Sequence, residues 1–373
     1  MARAPKLQEV EDTPESDRLG DFPHPRATTT LFGHTEAEEL LATGLASGRL
    51  PHGLIVTGPS GIGKATLAYR FARAALHHGS ARNESPATLA VPEACSAAYQ
   101  VAAGSHPGLL VLRRPYDHKA KRFLTSIPID EVRRLRTFLA HKAGGEHRVV
   151  IVDTADDLNV NAANAILKSL EEPPARTTFL LLSSEPGRLI RTIRSRCRLV
   201  DLAPLSRADL DQAARAAYRA AGREPPAPSE WERLLPLAHG SVRRLVGLEA
   251  GGGIEMAQVI DRLLGALPRL DVAPLHDLAE SLAPVAAEER FELFFELLSD
   301  RLRDLVRAAA GRPAASEADM QLAGRLGMAG ALATWAGLWE TIAREKADAM
   351  ALNLDRKALV IETFRRIATA ARS

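Results

Sequence analysis

Cysteine is nearly missing from this chain. Cys95 and Cys197 are the only two in 373 residues, too few for a disulfide framework or a four-cysteine zinc site. Aromatic residues make up 5%, so the cores are expected to be aliphatic, as in helix-rich proteins with much Ala and Leu. No uninterrupted apolar run approaches the roughly 20 residues that cross a bilayer. Residues 1–17 carry charges where a signal peptide would have its apolar centre, so a cytosolic location is expected. Neither sign of charge prevails: 48 Lys and Arg face 46 Asp and Glu, a net charge of +2. That balance argues against a protein that grips nucleic acid with its whole surface, and leaves room only for a local basic patch.

What is present is ordinary for a globular chain: 46% apolar and 25% charged residues, with length for two or three domains. Residues 1–30 are polar, contain proline and have no period, so a flexible leader is expected there, with order starting near Leu31. From there to about residue 203, short apolar runs alternate with helical stretches. The runs are at 54–57, 109–112, 149–152, 179–182 and 199–202, and the first four are apolar at nearly every position. That is the pattern of strands covered on both faces, and strands alternating with helices imply an α/β domain with a parallel sheet. Residues 79–93 read as a loop, and residues 113–126 as a basic loop bearing Arg113, Arg114, Lys119, Lys121 and Arg122.

Past Pro204 no strand pattern recurs. Residues 204–252 read as a small helical domain ending at a glycine hinge, Gly251-Gly252-Gly253. Residues 254–373 read as an all-α domain. Within it, residues 288–307 place Phe291, Leu293, Phe294, Phe295, Leu297, Leu298, Leu302 and Leu305 on one broad face.

Chemistry enters right after the first strand, at Gly58-Pro59-Ser60-Gly61-Ile62-Gly63-Lys64-Ala65-Thr66. Gly58, Gly61 and Gly63 allow backbone N–H groups to turn toward a phosphate chain. The following helix adds the positive end of its dipole, and Lys64 a full charge. A complete loop of this kind puts a Mg²⁺-binding hydroxyl after the lysine; here Ala65 stands there. Thr66 does not replace it, because one step along a helix turns the side chain by about 100°. Nucleotide, ATP or ADP, is therefore expected to engage Lys64, Thr66 and the backbone, with metal-assisted hydrolysis impaired. The third apolar run ends at Asp153, where a carboxylate that works with Mg²⁺ belongs. The next residue is Thr154, which cannot serve as a base near neutral pH. Asp156 and Asp157 are expected to begin or cap the helix at 159–170.

Two further motifs are longer and more specific. Residues 164–174 read Asn-Ala-Ile-Leu-Lys-Ser-Leu-Glu-Glu-Pro-Pro, and Ser195-Arg196-Cys197 follows the fourth run. With them, the chain closely resembles the bacterial DNA polymerase III clamp-loader subunits, from about Phe32 to Leu205 and more weakly beyond. The resemblance implies an AAA+ P-loop domain over 31–203, a helical lid over 204–252 and a C-terminal collar over 254–373. It implies work in a hetero-oligomer with motor subunits (gamma/tau) and a delta subunit, acting through the complex on a sliding clamp and primed DNA. Arg196 then takes the role of an arginine finger in trans, spreading positive charge over the γ-phosphate held by a neighbour. Its plainer reading is a surface arginine among Arg191, Arg194 and Arg198. Arg243 matches the sensor arginine of the lid, and reads equally as a solvated helix arginine. Ser183 or Ser184 falls where the family puts a polar γ-phosphate sensor. Residues 91–112 resemble the family's zinc module with only Cys95 of four cysteines kept, so no zinc is expected. Cys197 reads as a packing residue.

Ala65 and Thr154 together favour the delta′ type, a non-catalytic subunit of the polymerase holoenzyme, over an ATP-hydrolysing gamma/tau-type motor. A P-loop small-molecule kinase would not explain Ser-Arg-Cys, and a partner-free nucleic-acid binder is opposed by the charge balance.

Overall fold

The computed structural model describes residues 14–80, 88–92, 94–140, 147–311, 316–352 and 354–372. The chain divides into two compact units, one of residues 1–225 with 239–243, the other of residues 226–238 with 244–373. That division does not fall at the boundaries expected from sequence. The helix at Arg207–Ala220 goes with the first unit, whereas the helix at Pro228–Leu237 goes with the second.

In the first unit, five parallel strands make the central sheet: β1 (Gly53–Thr57), β2 (Leu109–Arg113), β5 (Arg148–Asp153), β6 (Thr177–Ser183) and β7 (Arg198–Asp201), in the order β2-β5-β6-β1-β7. All five lie on the expected apolar runs. Alternate residues build two cores. Leu54, Val56, Val149, Ile151, Leu180 and Leu182 meet α1 (Thr35–Ser47), α2 (Lys64–Ser80) and α3 (Ser96–Ala102) on one face. Ile55, Val150, Val152, Phe179 and Leu181 meet α4 (Ile129–Ala140), α5 (Val160–Glu171) and α6 (Arg191–Arg194) on the other. Burial of both faces is why the inner strands are apolar without alternation. Strand β7 lies at an edge, with Val200 buried and Leu199 exposed. Helix α7 (Arg207–Ala220) completes this unit.

Residues 14–30 are not a loose leader. Phe22 is buried, His24 caps a short 3-10 turn at Pro25–Ala27, and Asp17 is buried among charged partners. The expectation rested on missing periodicity, but this segment is held by ion pairs with residues far along the chain, which leave no local pattern. Residues 1–13 lie outside the described residues.

The expected basic loop is also more ordered. It holds a short antiparallel pair, β3 (Tyr116–Asp117) and β4 (Arg122–Phe123). Arg113 ends β2 and binds Glu15 and Asp17, while Arg114 Nε lies 3.1 Å from Asp157 Oδ2. Only Lys119, Lys121 and Arg122 remain exposed cations there. Two of the five charges are thus neutralised by folding.

The second unit is helical: α8 (Pro228–Leu237), α9 (Val242–Ala250, whose first two residues count with the first unit), α10 (Gly253–Ala266), α11 (Val272–Leu282), α12 (Glu288–Ala309), α13 (Glu317–Arg325), α14 (Leu332–Leu352) and α15 (Arg356–Ala370). All eight apolar positions predicted for the face of α12 are buried. Phe294 packs at 4.9 Å from Phe295 and 6.3 Å from Phe364 of α15. Of the three glycines expected as a hinge, Gly251 and Gly253 are packed tightly, whereas a Cβ on Gly252 would meet nothing nearer than 3.6 Å. A Cβ on Gly253 would come within 2.4 Å of the Leu248 side chain, so the residue is small because α9 and α10 meet closely there.

Candidate functional site

The phosphate loop joins β1 to α2 at the carboxyl end of the sheet. Gly58 has φ +137, and a Cβ there would sit 2.4 Å from the Leu202 carbonyl oxygen, so no other residue fits. Gly61 has φ +76, and a Cβ on it would strike Arg243 and Ser241 at 2.3 and 2.5 Å. Residues 241–243 are therefore docked on the loop. Ser241 Oγ donates to the Ser60 carbonyl at 2.8 Å and Val242 N–H to the Gly61 carbonyl at 3.1 Å. His34, ahead of α1, donates from Nε2 to the Ile62 carbonyl at 2.8 Å. Three carbonyls of the loop are thus fixed from outside it, which turns its amides inward.

Lys64 begins α2 and is buried. Its ammonium donates to the carbonyls of Gly58 (2.5 Å) and Pro59 (2.7 Å) and to Ser184 Oγ (2.9 Å). Burial brings its pKa down to about 8, against the pull of Asp153 and Asp156, with Arg243 adding to the fall. Asp153, at the end of β5, is pushed up to about 6 by desolvation and by the neighbouring Asp17 carboxylate. Thr154 Oγ donates to it at 3.3 Å.

Asp156 corrects the sequence reading. The cap of α5 is Asn159, whose side chain accepts from Ala162 N–H at 2.8 Å. Asp156 instead accepts from Ser183 Oγ and Ser184 N–H, both at 2.6 Å, and from Glu185 N–H at 3.2 Å. It fixes the end of β6 and so presents Ser184 to Lys64. Asp157 pairs with Arg114 rather than with the helix. Neither His34 nor Asp156 stood out as a site residue in the sequence. The one available signal was His34 following Phe32-Gly33 ahead of the first helix.

A cavity of about 480 Å³ opens beside the phosphate loop. Gly61, Gly63, Lys64, Thr66, Asp153 and Arg243 all border it, as does Ser184. Gly58 is the turn from which the loop departs. The structure thus gathers the expected nucleotide-binding residues around one space of a size suited to a nucleotide. The same wall presents the methyl group of Ala65, which has no oxygen to offer a metal ion. The residues present fit a nucleotide and do not complete the usual Mg²⁺ shell. Among the described residues, no group of three or more His, Cys, Asp and Glu is placed to hold a metal.

Arg196 lies elsewhere. A Cβ on Gly53, the first residue of β1, would be 2.8 Å from Cys197 Sγ and 3.4 Å from the Arg196 carbonyl. The phosphate loop leaves from the other end of that strand, about 13 Å away along the sheet. The guanidinium is partly exposed, pairs with Glu171 Oε1 at 2.6 Å and donates to the Thr192 carbonyl at 3.0 Å. Cys197 packs against the apolar core of the α5 and α6 face, its thiol pushed up to about 11 by burial, which disfavours the thiolate. Cys95 caps α3, its sulfur accepting from Ala98 N–H at 3.3 Å.

A parallel five-stranded sheet with the phosphate loop after an inner strand, flanked by helices on both faces and followed by a helical region, defines a P-loop protein of the AAA+ class. Residues 33–206 match the family model described as DNA polymerase III, delta subunit. DNA polymerase III subunit delta′ of Pseudomonas aeruginosa is 37% identical over 248 residues, covering 65% of this chain and 69% of that protein. The Escherichia coli subunit of the same name is 36% identical over 167 residues, 44% of this chain and 46% of that one. DNA polymerase III subunit tau of Salmonella typhimurium is more distant, at 27% over 251 residues, 65% of this chain and 36% of that protein. The chain belongs to the DNA polymerase III delta′ subunit family.

Proposed function

We propose that this chain is a clamp-loader subunit that hydrolyses no ATP itself and lends Arg196 to the ATP of a neighbouring motor subunit. The observation that carries the reading is the placement of Arg196 at the opposite end of the strands from its own phosphate loop. From there the guanidinium cannot serve the cavity around Lys64, yet it is partly exposed to a molecule docked at that end. A planar cation with several N–H donors suits the oxygens that gain charge during phosphoryl transfer. The home cavity lacks both the hydroxyl after Lys64 and a carboxylate base after Asp153, which supports a binding role for it, toward ATP or ADP. In this reading residues 31–203 are the AAA+ domain, 204–252 the lid and 254–373 the collar. The partners are gamma/tau motor subunits and a delta subunit, acting together in the cytosol on a sliding clamp and primed DNA.

The test is reconstitution with motor and delta subunits. Arg196→Ala should leave assembly intact and lower DNA-stimulated ATP hydrolysis and clamp loading. Normal hydrolysis and loading by an assembled Arg196→Ala complex would refute the role.

A further inference from the structure

One wall of the cavity comes from neither the sheet nor the phosphate loop. Residues 16–32 run along its side, with Leu19, Phe22, Pro23 and Leu31 among the lining, opposite the small side chains Ala213 and Ala217 of α7. This wall is apolar at Leu19, Phe22, Pro23 and Leu31 and carries Ser16, Asp17 and Thr28 to Thr30 beside them, while Lys64 and Arg243 contribute cations to the lining. Phe22 is buried, its ring edge-on to Tyr218 of α7 at 5.3 Å and covered by the Arg223 guanidinium at 5.1 Å.

The segment is anchored by charge. Arg113, at the end of β2, binds Glu15 and reaches Asp17 Oδ1 at 2.9 Å. His24 Nε2 lies 3.0 Å from Asp17 Oδ2, and Arg26 Nη1 lies 2.5 Å from Glu15 Oε1. Arg26 Nε also donates to the Ala102 carbonyl at the end of α3, at 3.0 Å. Arg73 of α2 donates to the carbonyls of Arg26 (2.9 Å) and Thr28 (2.5 Å). Burial opposes ionisation of Glu15, but hydrogen bonds from Arg26 and Arg113 outweigh it and hold the carboxyl below its usual range. Removing one member strands the others in a poorly solvated place, so the anchor holds or opens as a group.

We propose that residues 14–32 are a retaining strap, shutting one side of the cavity so that a nucleoside diphosphate or triphosphate leaves only when the charged anchor opens. The proposal rests on the reading of the cavity as a nucleotide site. It follows from a division of labour: without a hydroxyl after Lys64 the phosphate end has no metal to strengthen it, and the hold falls to the wall. Occupancy then outlasts the removal of Mg²⁺, and the nucleotide serves as a fixed part of the domain.

The experiment uses the full chain and radiolabelled ADP, with dissociation followed by a chase of unlabelled ADP in Mg²⁺ or EDTA. Wild type should bind in both buffers and release slowly, and Lys64→Ala should lose affinity. Arg26→Gln, checked for folding by circular dichroism, should speed release about tenfold with a much smaller change in association. Hydrogen exchange on the wild-type chain gives a second readout that needs no variant: ADP should slow exchange of amides in 16–32. Should Lys64→Ala lose binding while Arg26→Gln releases ADP at the wild-type rate and ADP leaves exchange of 16–32 unchanged, the strap is overturned and the nucleotide site stands. Binding by wild type no better than by Lys64→Ala would overturn the nucleotide site, and the strap with it.

Discussion

Arg196 Nη2 and Glu171 Oε1 lie 2.6 Å apart, joining the Ser-Arg-Cys motif to the Leu-Glu-Glu-Pro-Pro motif at the end of the strands remote from the phosphate loop. Both side chains are substantially exposed, at 35% and 47%, and such pairs contribute about 0.2–1 kcal/mol. The pair orients the guanidinium yet yields it at little cost to a stronger anion. Glu171→Gln should therefore change unfolding free energy by less than about 1 kcal/mol in urea titrations. Arg196→Lys keeps the charge but loses the planar fork, so in the reconstituted complex it should resemble Arg196→Ala. On the proposed trans role, single-turnover ATP hydrolysis by that complex should fall about 10³-fold or more. A lysine variant as active as wild type would mean that charge alone suffices.

Asp156 is expected to matter for both stability and binding. Its carboxylate accepts from a hydroxyl and two amides, and Ser183 is fully buried. Asp156→Ala leaves these donors without their acceptor, at about 1–3 kcal/mol for a buried one. We expect the urea midpoint to drop accordingly. ADP affinity should fall too, since Ser184 would no longer be held against Lys64. Asp156→Asn keeps an acceptor oxygen and should recover part of the loss.

How much of this was legible beforehand depended on the range of the interaction. The five strands showed as apolar runs because burial on both faces writes itself into adjacent residues. The face of α12 showed through its helical spacing, and the phosphate loop through its glycines and lysine. The segment from 14 to 30 left no such trace, because Arg113 lies almost a hundred positions from Glu15 and charge pairs have no period. Asp156 was misjudged for the same reason. A carboxylate ahead of a helix looks like a cap, and only the return of β6 beside it shows that it binds Ser183 and Ser184. The strands β3 and β4, two residues each, are too short for alternation to show.

Ala65→Thr should place a hydroxyl in the cavity wall directly after Lys64. Binding of ATP, measured by calorimetry with and without Mg²⁺, should become tighter with the metal, where wild type shows little difference. Hydrolysis should remain absent, because Thr154 still offers no base. Adding Thr154→Glu should bring slow turnover. If Ala65→Thr alone hydrolyses ATP briskly, a carboxylate base after Asp153 is not required for turnover in this cavity.

Lys64 gives the site a pH dependence of definite sign. Burial lowers its pKa from 10.5 to about 8 in the folded chain. The folded state therefore binds fewer protons than the unfolded state between those values, and this group makes the ligand-free chain gain stability as pH rises from 8 toward 10.5. Nucleotide acts in the other direction. A phosphate beside the amine favours its charged form, so binding should take up a proton wherever the free amine is mostly neutral. At pH 6.5 the amine is already charged and uptake through it should be close to zero. At pH 9 uptake should approach about one proton, and affinity should decline as pH rises past 8. Calorimetry of ADP binding in buffers of different ionisation enthalpy measures the uptake directly. Lys64→Met should abolish it, and an uptake at pH 9 that survives in Lys64→Met would assign the proton to another group.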